Sequence, residues 1–259
     1  MMKKKIIVSI FLILGFIFVA LWYLKIVYSV PVLMYHNVDN NAKKSCLSVT
    51  PETFEKQMLF LKEHNYQVIS LDKYVDLLKS GKKPKKKSVV LTFDDGMENN
   101  YTTVYPILLR YGMPATFFVV TDWVGNHEVM NWQQIEELNK NILFSIQSHG
   151  LSHKELDKLT IGEIDTEGRE SKKRLESKLK TEIKYFCYPC GSFNAVSKEI
   201  LKLNGYKAAC ATHPGKETAL NDLFAIRRIR ISDSADDLFI FWAQISGYYT
   251  FFKDRRIKK

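Results

Sequence analysis

The stretch Ser88-Val89-Val90-Leu91-Thr92-Phe93-Asp94-Asp95-Gly96 decides the fold. It opens as a nearly continuous run of apolar and β-branched side chains, the mark of a strand buried on both faces. It then breaks into two carboxylates and a glycine. Parallel α/β folds collect their sites just beyond the carboxyl ends of strands, so chemically capable residues at this point suggest such a fold.

Working outward, the same pattern recurs. Further strands are expected at Val30 to Tyr35, Tyr66 to Ile69, Ala115 to Val120, Leu143 to Gln147, Tyr185 to Tyr188, Lys207 to Ala211 and Phe224 to Ile231. Amphipathic stretches separate them. Thr50 caps a helix with Pro51 in its first turn, and Ser70 caps one that stops at Gly81. Asn131 opens another, a long charged helix runs from Ile161 to Leu179, and Asn194 to Asn204 closes at Gly205. A final helix spans Ser234 to Ile245, with Leu238, Phe241 and Trp242 as its expected buried face. Strands alternating with helices imply a parallel sheet with helical crossovers. No repeat or Gly/Ser/Pro-rich linker divides residues 30–259, which read as one domain.

Polar residues follow the strands in register: His36 the first, Asp94 and Asp95 the third, Thr121 and Asp122 the fourth, His149 the fifth, Pro189 and Cys190 the sixth, Thr212 and His213 the seventh. An Asp-Asp-Gly is on its own an ordinary turn. Adjacent carboxylates repel, however, and are easier to keep together when one binds a cation. His149 and His153, four apart, are expected to meet on one helical face, and neutral imidazoles suit a divalent ion. Together they supply a two-histidine, one-carboxylate set with open positions for water and substrate.

Leu91-Thr92-Phe93-Asp94-Asp95-Gly96, His149-Gly150-Leu151-Ser152-His153 and Phe186-Cys187-Tyr188-Pro189-Cys190-Gly191 resemble, in order and spacing, the motifs of the polysaccharide deacetylases, the NodB-homology domains of carbohydrate esterase family 4. The resemblance covers nearly all of residues 30–250. Met34-Tyr35-His36 and Asn131-Trp132 look most like the poly-N-acetylglucosamine deacetylase branch. The resemblance implies a distorted (β/α) barrel and metal-dependent removal of acetyl groups from N-acetylglucosamine units. It implies Asp95, His149 and His153 as metal ligands, Asp94 as general base, and the Cys190 backbone N–H as an oxyanion donor. Zinc is the expected ion, with cobalt or nickel as alternatives. The general acid is His36 or its rival His213, because the late Leu-x-His motif of many relatives is absent. Tyr188, Pro189, Trp132 and His213 are the expected substrate contacts, with Trp123 and Phe193 available for a sugar platform. Two departures stand out: Cys190 occupies a place where relatives commonly carry Tyr, and the Arg often found just upstream of the Pro motif is missing.

Composition bounds the setting. With 259 residues, 46% hydrophobic and 25% charged, the chain is a globular protein rather than a disordered or low-complexity one. Lys3, Lys4 and Lys5 precede an uncharged stretch, Ile6 to Leu24, that as a helix reaches about 28 Å. Residues 1–29 therefore read as an anchor with its amino end in the cytoplasm, or as a cleaved secretory signal; both export the domain. Removing Lys3, Lys4, Lys5 and Lys25 lowers the formal charge from +10 to +6. The remaining excess is partly local, in Lys82 to Lys87 around Pro84 and in the tail from Lys253 to Lys259, without a nucleic-acid motif. The expected partners are an N-acetylated polysaccharide and the membrane, not nucleic acid, and a monomer is expected. Cys46, Cys187, Cys190 and Cys210 lack a second C-x-x-C pair, so Cys187 and Cys190 read as packing or backbone positions. Poly-β-1,6-N-acetylglucosamine leads as substrate, then peptidoglycan, then xylan or another O-acetylated polymer; the alternative from another class is a catalytically silent glycan-binding barrel.

Overall fold

The run from Ser88 to Phe93 is buried at every position and forms β5 (Ser88–Phe93). The computed structural model of the protein describes residues 2–40, 47–212 and 222–249. On one side β5 pairs with β6 (Ala115–Val119), followed by β7 (Phe144–Ser148), β8 (Tyr185–Cys187), β9 (Ala208–Ala211) and β10 (Ile226–Arg227). On the other it pairs with β1 (Val32–Tyr35), which pairs with β11 (Ile229–Arg230), while β4 (Gln67–Val68) joins the start of β5. All these pairings are parallel.

The two ends of the sheet are two halves of one extended segment. Only Arg228 separates β10 from β11, so the strand expected at Phe224 to Ile231 is broken there, pairing with β9 before the break and with β1 after it. The result is a nearly closed parallel (β/α) barrel. Strand alternation divides its core into two layers. Val32, Val90, Phe118, Tyr185, Cys187 and Cys210 belong to one cluster, and their neighbours Leu33, Leu91, Phe117 and Phe186 belong to the larger cluster that includes the apolar helix faces.

The helices begin where the sequence punctuates them. Thr50 Oγ1 accepts from Thr53 N ahead of α2 (Pro51–Glu63), and Ser70 does the same for α3 (Leu71–Ser80), which ends at Gly81 with φ 65°. Asn131, Thr160 and Asn194 form capping boxes for α5 (Trp132–Lys140), α6 (Ile161–Leu179) and α7 (Ala195–Leu203). The sequence reading lacks the π turn Asn100–Val104, whose Asn and Thr are poor interior helix formers, and α4 (Tyr105–Tyr111), a short run interrupted early by Pro106. It also lacks the short parallel pair β2 (Asn37–Val38) and β3 (Ser48–Val49).

Two expectations change at the ends of the chain. The final helix, α8 (Leu238–Ile245), buries Phe241, Gln244 and Ile245, whereas Leu238 and Trp242 are 36% and 44% exposed. Phe241 points towards Phe60 of α2, and Trp242, the next residue along the helix, is turned off that face, while Leu238 sits at the helix's first, open turn. At the amino end, α1 (Met2–Val27) is a helix whose described side chains, Ile10 to Leu24, are almost all exposed. Among the described residues no helix is long and apolar enough to cross a membrane.

Candidate active site

The strand ends bring His36, Asp94, Asp95, His149 and His153 together at the carboxyl end of the barrel. Asp95 Oδ1 lies 3.4 Å from His149 Nε2 and 3.4 Å from His153 Nε2. That oxygen is buried and has no partner of good hydrogen-bond geometry. Three donors around a tetrahedral ion at about 2.0–2.2 Å are roughly 3.3–3.6 Å apart, so the spacing and the orphaned oxygen both fit a divalent ion. His149 Nδ1 lies 2.8 Å from the Cys187 carbonyl, a contact that takes up the ring proton and turns the Nε2 lone pair towards Asp95. Burial would raise the Asp95 carboxyl, but the two imidazoles override it and hold it well below the usual carboxylate range. Burial likewise opposes charge on His149, yet the Cys187 and Asp95 contacts hold its pKa well above the ordinary imidazole value.

The histidines do not meet on a helix. Residues 149–153 form a loop, and His153 reaches Asp95 because the chain turns back with φ 64°. Asp95 at φ 71° and Cys190 at φ 56° share this left-handed conformation, which side-chain-bearing residues rarely adopt. Strain of about 1–3 kcal/mol at such a residue persists where surrounding structure over-determines it. Gly191 shows how tightly the Pro189–Gly191 turn is held: a Cβ there would lie 2.7 Å from Thr212 Cβ.

Asp94 is buried beside this triangle and paired with a residue that sequence reasoning missed. Arg228 Nη1 and Nη2 donate to Asp94 Oδ1 and Oδ2, each at 2.6 Å. The same guanidinium reaches Thr92 Oγ1 at 3.1 Å and Cys187 Sγ at 3.0 Å. Burial pushes the Asp94 carboxyl up, but the guanidinium's charge and hydrogen bonds outweigh it and hold the group below its ordinary range. No arginine stands just upstream of the Pro motif, and the one that pairs with Asp94 comes from the barrel seam. The sequence signal was three arginines, Arg227, Arg228 and Arg230, inside the expected strand Phe224 to Ile231, with nothing local to single out Arg228.

A family profile described as polysaccharide deacetylase matches residues 81–209. The chain is 32% identical over 202 residues to a putative polysaccharide deacetylase, YxkH, of Bacillus subtilis (strain 168), covering 78% of this chain and 71% of the relative. The chain belongs to the polysaccharide deacetylase family. It is also 31% identical over 201 residues to the poly-beta-1,6-N-acetyl-D-glucosamine N-deacetylase of Staphylococcus aureus (strain N315), covering 73% of this chain and 69% of the relative. Among solved structures, the Streptococcus pyogenes deacetylase PplD in complex with acetate superposes with a TM-score of 0.73 at 30% identity, covering 81% of this chain and 96% of that one. The protein is accordingly an N-deacetylase hydrolase.

The other expected residues of the deacetylase divide. His36 Nε2 lies 4.0 Å from Asp94 Oδ2, and its Nδ1 is buried without a hydrogen-bond partner. Burial lowers its pKa, with Asp94 and Asp95 opposing. Tyr188 is fully buried, with its hydroxyl donating to the Phe224 carbonyl at 3.1 Å and its ring stacked on Phe193, so its side chain is engaged within the core. Pro189 is buried too, and Cys190 is exposed. Trp132 is half-buried at the start of α5, packed on the core with Lys178 Nζ 5.6 Å from its ring, which places it beside α6 rather than in the Asp95 cluster. Trp123 instead borders the site, its ring 4.8 Å from that of His153. His213 and Cys46 lie outside the described residues. Cys187, Cys190 and Cys210 are free thiols.

Proposed function

We propose that the protein is a metal-dependent, exported deacetylase of an N-acetylglucosamine polymer. The observation that carries this reading is the Asp95, His149 and His153 triangle, with its buried unpartnered oxygen, set beside the Asp94–Arg228 pair. Asp95, His149 and His153 would hold the ion, zinc first and cobalt or nickel next. Bound there, a divalent ion acidifies a water molecule and polarises the acetamide carbonyl. Asp94 takes the proton from the attacking water, and Arg228 keeps that carboxylate ionised and oriented. The Cys190 N–H, presented by the left-handed turn, donates to the oxygen that gains charge. His36 returns a proton to the departing amine through Nε2, which its position beside Asp94 supports. Acetate and a free amine on the glycan are the products.

The Staphylococcus aureus relative favours poly-β-1,6-N-acetylglucosamine as substrate, with peptidoglycan second. Lys3, Lys4 and Lys5 ahead of the uncharged run from Ile6 to Leu24 support export. The test is acetate release by the detergent-solubilised full chain from β-1,6-linked N-acetylglucosamine oligomers and from peptidoglycan fragments, each with added zinc and with chelator. Metal-dependent release from the β-1,6 oligomers is expected. Release from neither substrate by zinc-loaded protein would overturn the substrate reading and favour a silent glycan-binding barrel.

A further inference from the structure

Glu167 lies on α6, away from every motif read in the sequence, yet it is buried and its carboxylate faces the loop between the two histidines. Its Oε2 accepts from Leu151 N at 2.8 Å and Ser152 N at 3.0 Å, and its Oε1 accepts from Ser152 Oγ. The opposite side of the loop is held as firmly. Thr121 N and Asp122 N donate to the carbonyls of Gly150 and Leu151 at 3.3 and 2.9 Å. Gly150 N donates to Ser148 Oγ, which pairs in turn with Ser171 Oγ, one helical turn beyond Glu167. Every backbone N–H from His149 to Ser152 therefore has a partner: Val119 O, Ser148 Oγ and, for the last two, Glu167. Gly150 permits the close approach, since a Cβ there would lie 3.1 Å from Glu167 Oε2 in a backbone of φ 83°.

We propose that Glu167 is a positioning residue for the metal site, acting by its reach rather than its charge: it fixes the turn that carries His153 back to Asp95. The inference rests on the metal reading above. His149 is placed by β7, but His153 follows four residues of loop and adopts an unfavourable left-handed conformation. Nothing in local propensity holds it there. Three donors converging on one carboxylate do, because releasing them inside the protein leaves buried polar groups without partners. Outer partners of metal ligands are typically worth on the order of 10- to 100-fold in metal affinity.

Reach and charge are separable. Glu167→Gln removes the charge but keeps the length and an oxygen able to accept both N–H groups, while Ser152 Oγ turns from donor to acceptor. Glu167→Asp keeps the charge and draws the carboxylate back by one methylene. The experiment is zinc affinity of the full chain by competition with a chromogenic chelator, alongside the melting temperature of the metal-free protein. Glu167→Asp and Glu167→Ala are expected to lose on the order of 10- to 100-fold in affinity, with Glu167→Gln within about threefold of the unaltered protein. The reverse order, with Asp tight and Gln weak, would show an electrostatic role and overturn the proposal. So would equal affinity in all the folded variants. If Glu167→Ala does not fold, the Gln-to-Asp comparison decides alone. An unaltered protein that takes up no zinc, cobalt or nickel refutes the metal reading itself, a result distinct from unchanged affinity among variants that do bind.

Discussion

Replacing Arg228 by Met tests the pair on which the proposed base depends. The guanidinium is fully buried and lies 5.6 Å from the Phe118 ring centroid, so Met retains much of the packing while removing both 2.6 Å hydrogen bonds to Asp94. Removing one partner of a buried ion pair costs about 3–5 kcal/mol, because the other charge stays behind without compensation. For a domain of this size each kcal/mol moves Tm by about 2–4 °C, so a fall of roughly 6–20 °C is expected at pH 8. The pH dependence carries the sharper test. In the unaltered protein the folded Asp94 carboxyl is held below its ordinary value, so its stabilisation is present above the unfolded carboxylate pKa of about 3.9 and is lost as pH falls through the folded value. Without Arg228, burial dominates and the sign reverses: the variant gains relative stability as pH drops from 8 towards 5, because protonation relieves the buried charge. Melting both proteins with chelator across this range measures the difference, and the acid limb of kcat/KM for acetate release should move to higher pH in the variant. The double variant Arg228→Met/Asp94→Asn should recover part of the lost stability. A deficit below about 1 kcal/mol at pH 8, or one that grows on acidification, would refute the reasoning.

His36→Ala is expected to lower kcat by about 10²- to 10⁴-fold while leaving zinc affinity within threefold, since His36 stands beside Asp94 and outside the ligand triangle. Unchanged turnover would return the acid role to His213. Asp95→Asn should weaken zinc binding and abolish the metal-induced rise in Tm, which at 100 times Kd corresponds to about 2.7 kcal/mol for the unaltered protein; a retained rise would remove Asp95 from the ligand set. Tyr188→Phe should cost about 1 kcal/mol through its lost bond to the Phe224 carbonyl and leave KM unchanged, whereas a raised KM would restore Tyr188 as a substrate contact. Gly191→Ala should be destabilised and should lower kcat more than it raises KM, because the new Cβ displaces Thr212 or the Cys190 N–H; unchanged kcat would argue against that N–H as an oxyanion donor.

Local patterning alone determined much of this protein. The apolar run to Phe93 and the punctuation at Thr50, Ser70, Asn131 and Asn194 act within a few residues, which is why strand and helix positions could be read directly. The placing of His36, Asp94, Asp95 and His149 at one barrel end followed from their positions after parallel strands. Tertiary structure decided what depends on distant segments meeting. Arg228 reaches Asp94 across 134 residues because the barrel seam falls at that residue, and Glu167 meets the histidine loop because α6 packs over β7. His153 reaches Asp95 through a backbone turn that no helical periodicity describes. The burial of Tyr188 and the exposure of Trp242 are likewise settled by which neighbours each side chain finds, and residue type alone does not encode those neighbours. Periodicity records the face a residue prefers, whereas a buried charge pair or a clamped loop is favourable only once the whole barrel has brought its partners within hydrogen-bond range.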